Sequence, residues 1–185
     1  MINVNDLRPG VTFQMEGNIY VVLEASHSKQ GRGQANVKAK VKDLRTGSTT
    51  IKSFTGGEKV ERAMIDKVGM DYLYNSGEAI VLMDQETFEQ IEIPLNHVEW
   101  EINFLREGQK VIVRKFEQEI LDIELPTNVV LKVVSAPDAV KGNTAQAAQK
   151  KVVVETNYEV ETPLFIKEGE EIVVSTETGK YVGRA

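Results

Sequence analysis

Apolar and charged side chains alternate without a break from Asn36 to Leu44: Val37, Ala39, Val41 and Asp43 fall on one side, Lys38, Lys40 and Lys42 on the other. A period of two is the signature of a strand with one buried face. The same signal recurs along the chain. Val11–Met15, Ile19–Ala25 and Ser48–Phe54 read as further strands, separated by turns at Glu16-Gly17-Asn18 and Arg45-Thr46-Gly47. Residues 1–63 are therefore expected to form a five-stranded, SH3-like (KOW-type) barrel.

Beyond Met64 the pattern starts again, with Ile65–Val68, Met70–Tyr74, Ala79–Met83, Phe88–Ile93, Lys110–Phe116 and Glu119–Leu125 as strand segments. Between Pro94 and Gly108 the period changes. Asn96 followed three residues on by Glu99 has the form of a capping box, and Val98, Ile102 and Leu105 share a helical face, which predicts one short helix. With Ile65–Val68 and Met70–Tyr74 counted as one strand, five strands with a helix between the third and fourth give an OB-type barrel over residues 64–126. Pro126 opens a third segment, residues 127–185, with strands at Val129–Ser135, Lys151–Glu155, Tyr158–Glu161, Leu164–Ile166, Glu170–Ser175 and Tyr181–Arg184. This reads as a second OB-type barrel without a helix. The expected class is all-β, in three small barrels.

Charge is placed unevenly on this frame. Residues 1–63 hold ten Lys/Arg against six Asp/Glu, residues 64–126 five against fourteen, and residues 127–185 seven against eight, within a net charge of −6. The first third seeks anions and the second avoids them. With no cysteine there is no disulfide and no thiolate chemistry, which fits a reducing, cytoplasmic location. Nothing approaches the ~18 consecutive apolar residues of a membrane-spanning helix, so no membrane partner is expected.

In the stretch Lys29-Gln30-Gly31-Arg32-Gly33-Gln34-Ala35 a run of strand-like sequence stops, a cation is shown between two glycines, and the lysine-bearing strand follows. Gly31 and Gly33 admit backbone conformations closed to other residues, while Arg32 offers a planar fork of donors suited to phosphates and flat bases. Taken alone it is either a solvated hairpin or an anion-seeking tip. The row Lys38, Lys40, Lys42 is likewise either a solvated face or a phosphate track. His27 and His97 lie in different segments and form no catalytic pair. Carboxylate pairs such as Asp84/Glu86 and Glu99/Glu101 read as solubilising, and neither a Walker loop nor a dinucleotide fingerprint is present. No enzyme, metal site or cofactor is expected. A single-stranded nucleic-acid binder built from OB-type barrels is the main rival, but it needs exposed aromatics on a basic barrel, and the second segment is acidic.

Several stretches together carry a resemblance. The KxGxGxA loop, Tyr72-Leu73-Tyr74-Asn75-Ser76-Gly77-Glu78, Met83 with Glu86-Thr87-Phe88-Glu89-Gln90, Lys141-Gly142-Asn143-Thr144, Pro163-Leu164-Phe165-Ile166 before Gly169, and Gly179-Lys180-Tyr181-Val182-Gly183-Arg184 resemble, in order and spacing, the bacterial elongation factor P family. The resemblance runs the length of the chain. It implies an L-shaped, monomeric mimic of transfer RNA that binds both ribosomal subunits between the peptidyl and exit sites and relieves stalling at consecutive prolines. The Arg32 loop would reach the acceptor end of the peptidyl-site tRNA, with Lys29, Gly31, Gly33, Lys38, Lys40 and Lys42 around it. Tyr181 and Arg184 would meet tRNA or the small subunit, or else pack at the end of the last strand.

In this family the position of Arg32 carries a modified lysine or a rhamnosylated arginine, so an arginine-modifying rhamnosyl transferase is an implied partner. Gln30 stands where the family usually has proline, and Val152, Asn157 and Thr162 stand where Ala, Gly and Val are usual. The Gly-Asp-Asn loop that reads the exit-site codon in some members is missing from Ile91–Glu99. Intact-mass measurement of natively produced protein separates modified from unmodified Arg32, because one rhamnose adds about 146 Da.

Overall fold

The computed structural model describes residues 1–29, 31–138 and 148–185. Among them the regular structure is strand and short 3-10 turn, without an α-helix, so the chain is all-β as its alternation predicts. The first sheet contains β1 (Ile2–Asn3), β2 (Thr12–Met15), β3 (Asn18–Ser28), β4 (Asn36–Asp43), β5 (Thr49–Thr55) and β6 (Lys59–Arg62), in the order β1-β6-β2-β3-β4-β5. A second sheet of β7 (Ile65–Asn75), β8 (Ala79–Asp84), β9 (Gln90–Pro94), β10 (Lys110–Phe116) and β11 (Glu119–Glu124) runs β11-β10-β7-β8-β9. A third, of β12 (Asn128–Ser135), β13 (Gln149–Val154), β14 (Glu159–Pro163), β15 (Glu171–Ser175) and β16 (Tyr181–Arg184), runs β14-β13-β12-β15-β16. The chain divides into two compact units, residues 1–68 with 113–122, and residues 69–112 with 123–185.

In the first unit Phe13 is fully buried, with its ring 5.5 Å from Tyr20 and 6.2 Å from Phe54. Val22, Val37, Ala39 and Val41 close round it. A second cluster holds Ile19, Val21, Leu44, Ala63 and Leu121. Ile19 to Val22 form an unbroken apolar run because both faces of that half of β3 are covered. Between Val22 and Glu24 the register with β4 shifts, and this bulge turns Ala25, rather than Glu24, toward the core. The N-terminus adds a strand that the sequence pattern does not suggest: Ile2 and Asn3 pair with Val60 and Lys59.

In the second unit the segment expected to be helical is not. Leu95–His97 and Glu101–Phe104 are separate 3-10 turns, and Pro94 rather than Asn96 precedes the first, without a side-chain cap. A helix of about ten residues is marginal in water, so tertiary contacts decide its geometry. Here Trp100 Nε1 donates to Thr176 O at 2.7 Å, Thr156 Oγ1 donates to Asn103 O at 2.5 Å, and Phe104 is buried in the core formed by Leu131, Val152, Val160 and Ile172. Trp100, Phe104 and Tyr158 meet edge to face with centroids 5.1–6.1 Å apart. Phe104, off the predicted stripe, is the side chain that had to be accommodated.

Two strand boundaries also shift. Leu164–Ile166 is a turn closed by the Ile166 N–H donating to Pro163 O at 3.3 Å, although Ile166 remains fully buried. The strand expected from Phe88 starts at Gln90, because Asp84 draws the preceding residues into a turn. The stretch Lys141-Gly142-Asn143-Thr144 lies outside the described residues.

One polar group in the first unit carries a heavy desolvation cost. Asp122 is 3% exposed and accepts from Arg114 Nε and Nη2 at 2.6 Å each, with Lys42 Nζ 3.8 Å away. Removing one partner of such a pair strands a buried charge. Asp122→Ala is expected to destabilise the protein by about 3–5 kcal/mol, measured by urea denaturation; a loss below about 1 kcal/mol, the range of an exposed pair, would contradict the burial argument.

Candidate nucleic-acid interface

Antiparallel pairing of β3 with β4 carries the basic loop. The ladder runs from Tyr20↔Asp43 to Ser28↔Asn36, leaving residues 29–35 as the connection. Burial of Val37, Ala39 and Val41 fixes the register, since a slip of one residue would drive Lys38 and Lys40 into the core. At the tip Gly31 has φ +61 and open space where a Cβ would project, so glycine serves the backbone there rather than a tight contact. Arg32 and Gly33 are exposed beside it, and Lys29 is exposed at the start of the connection. Gln30 is not among the described residues.

The lysine row divides in two. Lys38 and Lys40 are exposed, paired across β5 with Ser53 and Ile51. Lys42 is half-buried and lies 3.8 Å from the Asp122 carboxylate. Its charge is therefore partly answered inside the protein, and the row leaves Lys38 and Lys40 as the cations turned to solvent. Among the described residues, Lys29, Arg32, Lys38 and Lys40 have no ion pair. Arg45, at the far end of β4, differs: its guanidinium makes two 2.9 Å bonds to Glu119 and one to Gly17 O. The hydrogen bond to Glu119 raises its pKa further, against the opposing effect of desolvation.

Tyr181 and Arg184 lie elsewhere, in the second unit. Tyr181 is half-buried against the third sheet's core. The Arg184 guanidinium stacks 4.5 Å from the Phe165 ring centroid and lies 3.5 Å from Glu170. Both residues thus have internal partners, unlike the cations around the loop. The structure groups Lys29, Gly31, Arg32, Gly33, Lys38 and Lys40 on one hairpin.

Two features of the loop's footing are silent in the sequence pattern. Gly56 N donates to Ala35 O at 2.5 Å, and a Cβ on Gly56 would meet that oxygen at 2.7 Å. The β5–β6 turn therefore clamps the last residue of the loop through a glycine, and the Gly56-Gly57 pair is the signal that could have pointed to it. On the other arm, His27 Nε2 lies 3.1 Å from Asn5 O and 3.4 Å from Arg8 Nη1, and Arg8 donates to the carbonyls of Asn5 and Leu7. His27 thus joins the stem to the N-terminal segment.

Three family models match successive stretches of the chain. Residues 3–60 match the family model "Elongation factor P (EF-P) KOW-like domain", residues 65–123 the "Elongation factor P (EF-P) OB domain", and residues 129–184 "Elongation factor P, C-terminal". Elongation factor P of Metamycoplasma arthritidis is 87% identical over 185 residues, covering 100% of both chains. That of Mycoplasmopsis pulmonis is 69% identical over 185 residues, covering 100% of this chain and 99% of the relative. Among solved structures, eukaryotic translation initiation factor 5A from Methanococcus jannaschii is similar in fold, with a TM-score of 0.51 at 23% identity over 66% of this chain and 92% of that one.

Substituting Gly56 tests the clamp. Gly56→Ala must displace the Ala35 carbonyl, so it is expected to cost about 0.5–1.5 kcal/mol, the net worth of one half-buried backbone hydrogen bond, and to speed hydrogen exchange at the residue-56 amide. Unchanged stability and exchange would show that Ala35 is not held there.

Proposed function

This chain belongs to the elongation factor P family of translation elongation factors, and from that we propose that it binds the ribosome between the peptidyl and exit sites and uses Arg32 to hold the acceptor end of the peptidyl-site tRNA. The observation that supports this reading is the exposed Arg32 between Gly31 and Gly33, without an internal ion pair among the described residues, on a hairpin whose next outward cations along the chain are Lys38 and Lys40. A cation that no carboxylate answers is available to phosphate. The glycines let the backbone approach RNA closely, and the guanidinium gives either a bidentate phosphate contact or a stack on a base.

On this reading the protein performs no bond-making step. The ribosome joins the amino acids, and the factor restrains one reactant. Consecutive prolines react slowly because the peptidyl and incoming ends are poorly placed, so the barrier is partly entropic; fixing the tRNA end removes freedom that would otherwise be lost on reaching the transition state. Lys29, Lys38 and Lys40 neutralise backbone phosphates near the tip, which strengthens association and makes it salt-dependent. Lys42 is a weaker candidate for the same role because Asp122 lies beside it. Gly56 and the Arg8–His27 contact act on the two arms of the loop and limit where Arg32 can go. Rhamnosylation of Arg32 would extend its reach while keeping its charge.

The three segments 1–63, 64–126 and 127–185 are proposed as the working domains, each near the span of one matched family model. In the second of them carboxylates predominate, which disfavours RNA and fits a protein surface or solvent. Tyr181 and Arg184 remain proposed contacts to tRNA or the small subunit. To make them, Arg184 must leave or share Phe165 and Glu170.

Synthesis of a tri-proline reporter in a reconstituted translation system tests the reading. Wild-type protein is expected to stimulate it, and Arg32→Ala to lower that stimulation about ten- to a hundredfold, the effect of losing one charge-assisted hydrogen bond of about 1.5–3 kcal/mol. Equal stimulation by the two proteins would remove Arg32 from the mechanism. Lys40→Ala is expected to act chiefly on affinity, flattening the dependence of ribosome binding on salt.

A further inference from the structure

Four non-glycine residues among those described have positive φ: Glu16, Glu117, Asn157 and Phe88. Glu16 and Glu117 each sit in a two-residue turn between paired strands, and asparagine, as at 157, adopts this geometry readily, but Phe88 at φ +61 is a bulky aromatic in the left-handed region. It closes the β8–β9 turn. Asp84 Oδ1 accepts from the N–H groups of Glu86 and Thr87 at 2.8 and 3.1 Å, and Phe88 N donates to Asp84 O at 3.0 Å. Glycine would make this turn without strain. Nor does the ring gain burial in return: Phe88 is 70% exposed, and no aromatic or cation contact is made to it among the described residues.

The same unit contains an aromatic ring in use. Phe165, 55% exposed, carries the Arg184 guanidinium 4.5 Å from its centroid, while Glu170 takes the charge at 3.5 Å. Ring plus carboxylate makes a seat for arginine. At Phe88 the ring and the carboxylates are present without the arginine: Glu86 and Glu89 flank it, both exposed and neither in an ion pair among the described residues. RNA is disfavoured as the occupant, because stacking a base on Phe88 would bring its phosphates against Glu86 and Glu89.

We propose that the β8–β9 tip, Phe88 with Glu86 and Glu89, is a docking knob for an arginine-bearing protein segment on the ribosome. This rests on the ribosome-binding reading above and adds to it a contact remote in sequence from the Arg32 loop. The loop addresses RNA with a cation; the tip addresses protein with a ring and two anions.

Three variants and one cross-link test it, all in the full-length protein with 70S ribosomes. Phe88→Gly relieves the backbone, so its thermal midpoint is expected to equal or exceed that of the wild type while its ribosome Kd rises roughly three- to tenfold. Phe88→Trp keeps the ring and retains affinity. Glu86→Lys with Glu89→Lys weakens binding to a basic protein surface, whereas it would tighten binding to RNA. A benzoyl-phenylalanine photoprobe at position 88 is expected to cross-link a ribosomal protein. Unchanged affinity of Phe88→Gly, tightening by the charge reversal, or cross-links to ribosomal RNA alone would each overturn the proposal. If the wild type fails to bind ribosomes at all, the functional reading falls and this inference with it; if it binds and the tip variants bind equally well, only this inference fails.

Discussion

Cross-strand register between β3 and β4 is the constraint on which the rest depends. Val37, Ala39 and Val41 are each fully buried, and their burial leaves one register for the ladder and one place for the chain to reverse. Because side chains alternate, the same three residues that fill the core turn Lys38 and Lys40 outward. Packing and charge display are thus a single choice. The bulge between Val22 and Glu24 lets one strand serve two clusters in its first half and a half-exposed stem in its second, so that the hairpin keeps its core face up to the loop.

Internal neutralisation sorts the cations. Arg45, Arg114, Lys42 and Arg184 each lie within 4 Å of a carboxylate of their own unit, and Arg184 has an aromatic ring as well. Lys29, Arg32, Lys38 and Lys40 do not, among the described residues. A charge paired inside the fold contributes to local structure, while one left exposed contributes to the field that an approaching polyanion meets. The proposed function uses the second group. The proposed knob at Phe88 applies the complementary logic, offering anions and a ring where a cation is absent.

Much of this was legible in the sequence because a period of two survives any tertiary context that buries one face. The strands β4, β10 and β16 lie within a residue of where alternation puts them, and the Arg32 loop follows from the two glycines where one strand signal stops and another begins. What failed was decided by partners distant in sequence. The helix expected around Val98, Ile102 and Leu105 gave way to 3-10 turns because Trp100, Asn103 and Phe104 answer to Thr176, Thr156 and Tyr158, fifty or more residues on. The clamp of Gly56 on Ala35 and the answering of Lys42 by Asp122 were hidden for the same reason. Sequence spacing names a face; it does not name what lies against it.

The proposed role requires the tip of one hairpin to reach one chemical group. A zero-length or short photocross-linker placed at residue 32, in ribosomes stalled on consecutive prolines, reports that contact directly. Labelling of the 3′-terminal nucleotides of the peptidyl-site tRNA is the predicted result. Labelling confined to ribosomal protein or to RNA far from that end would contradict it.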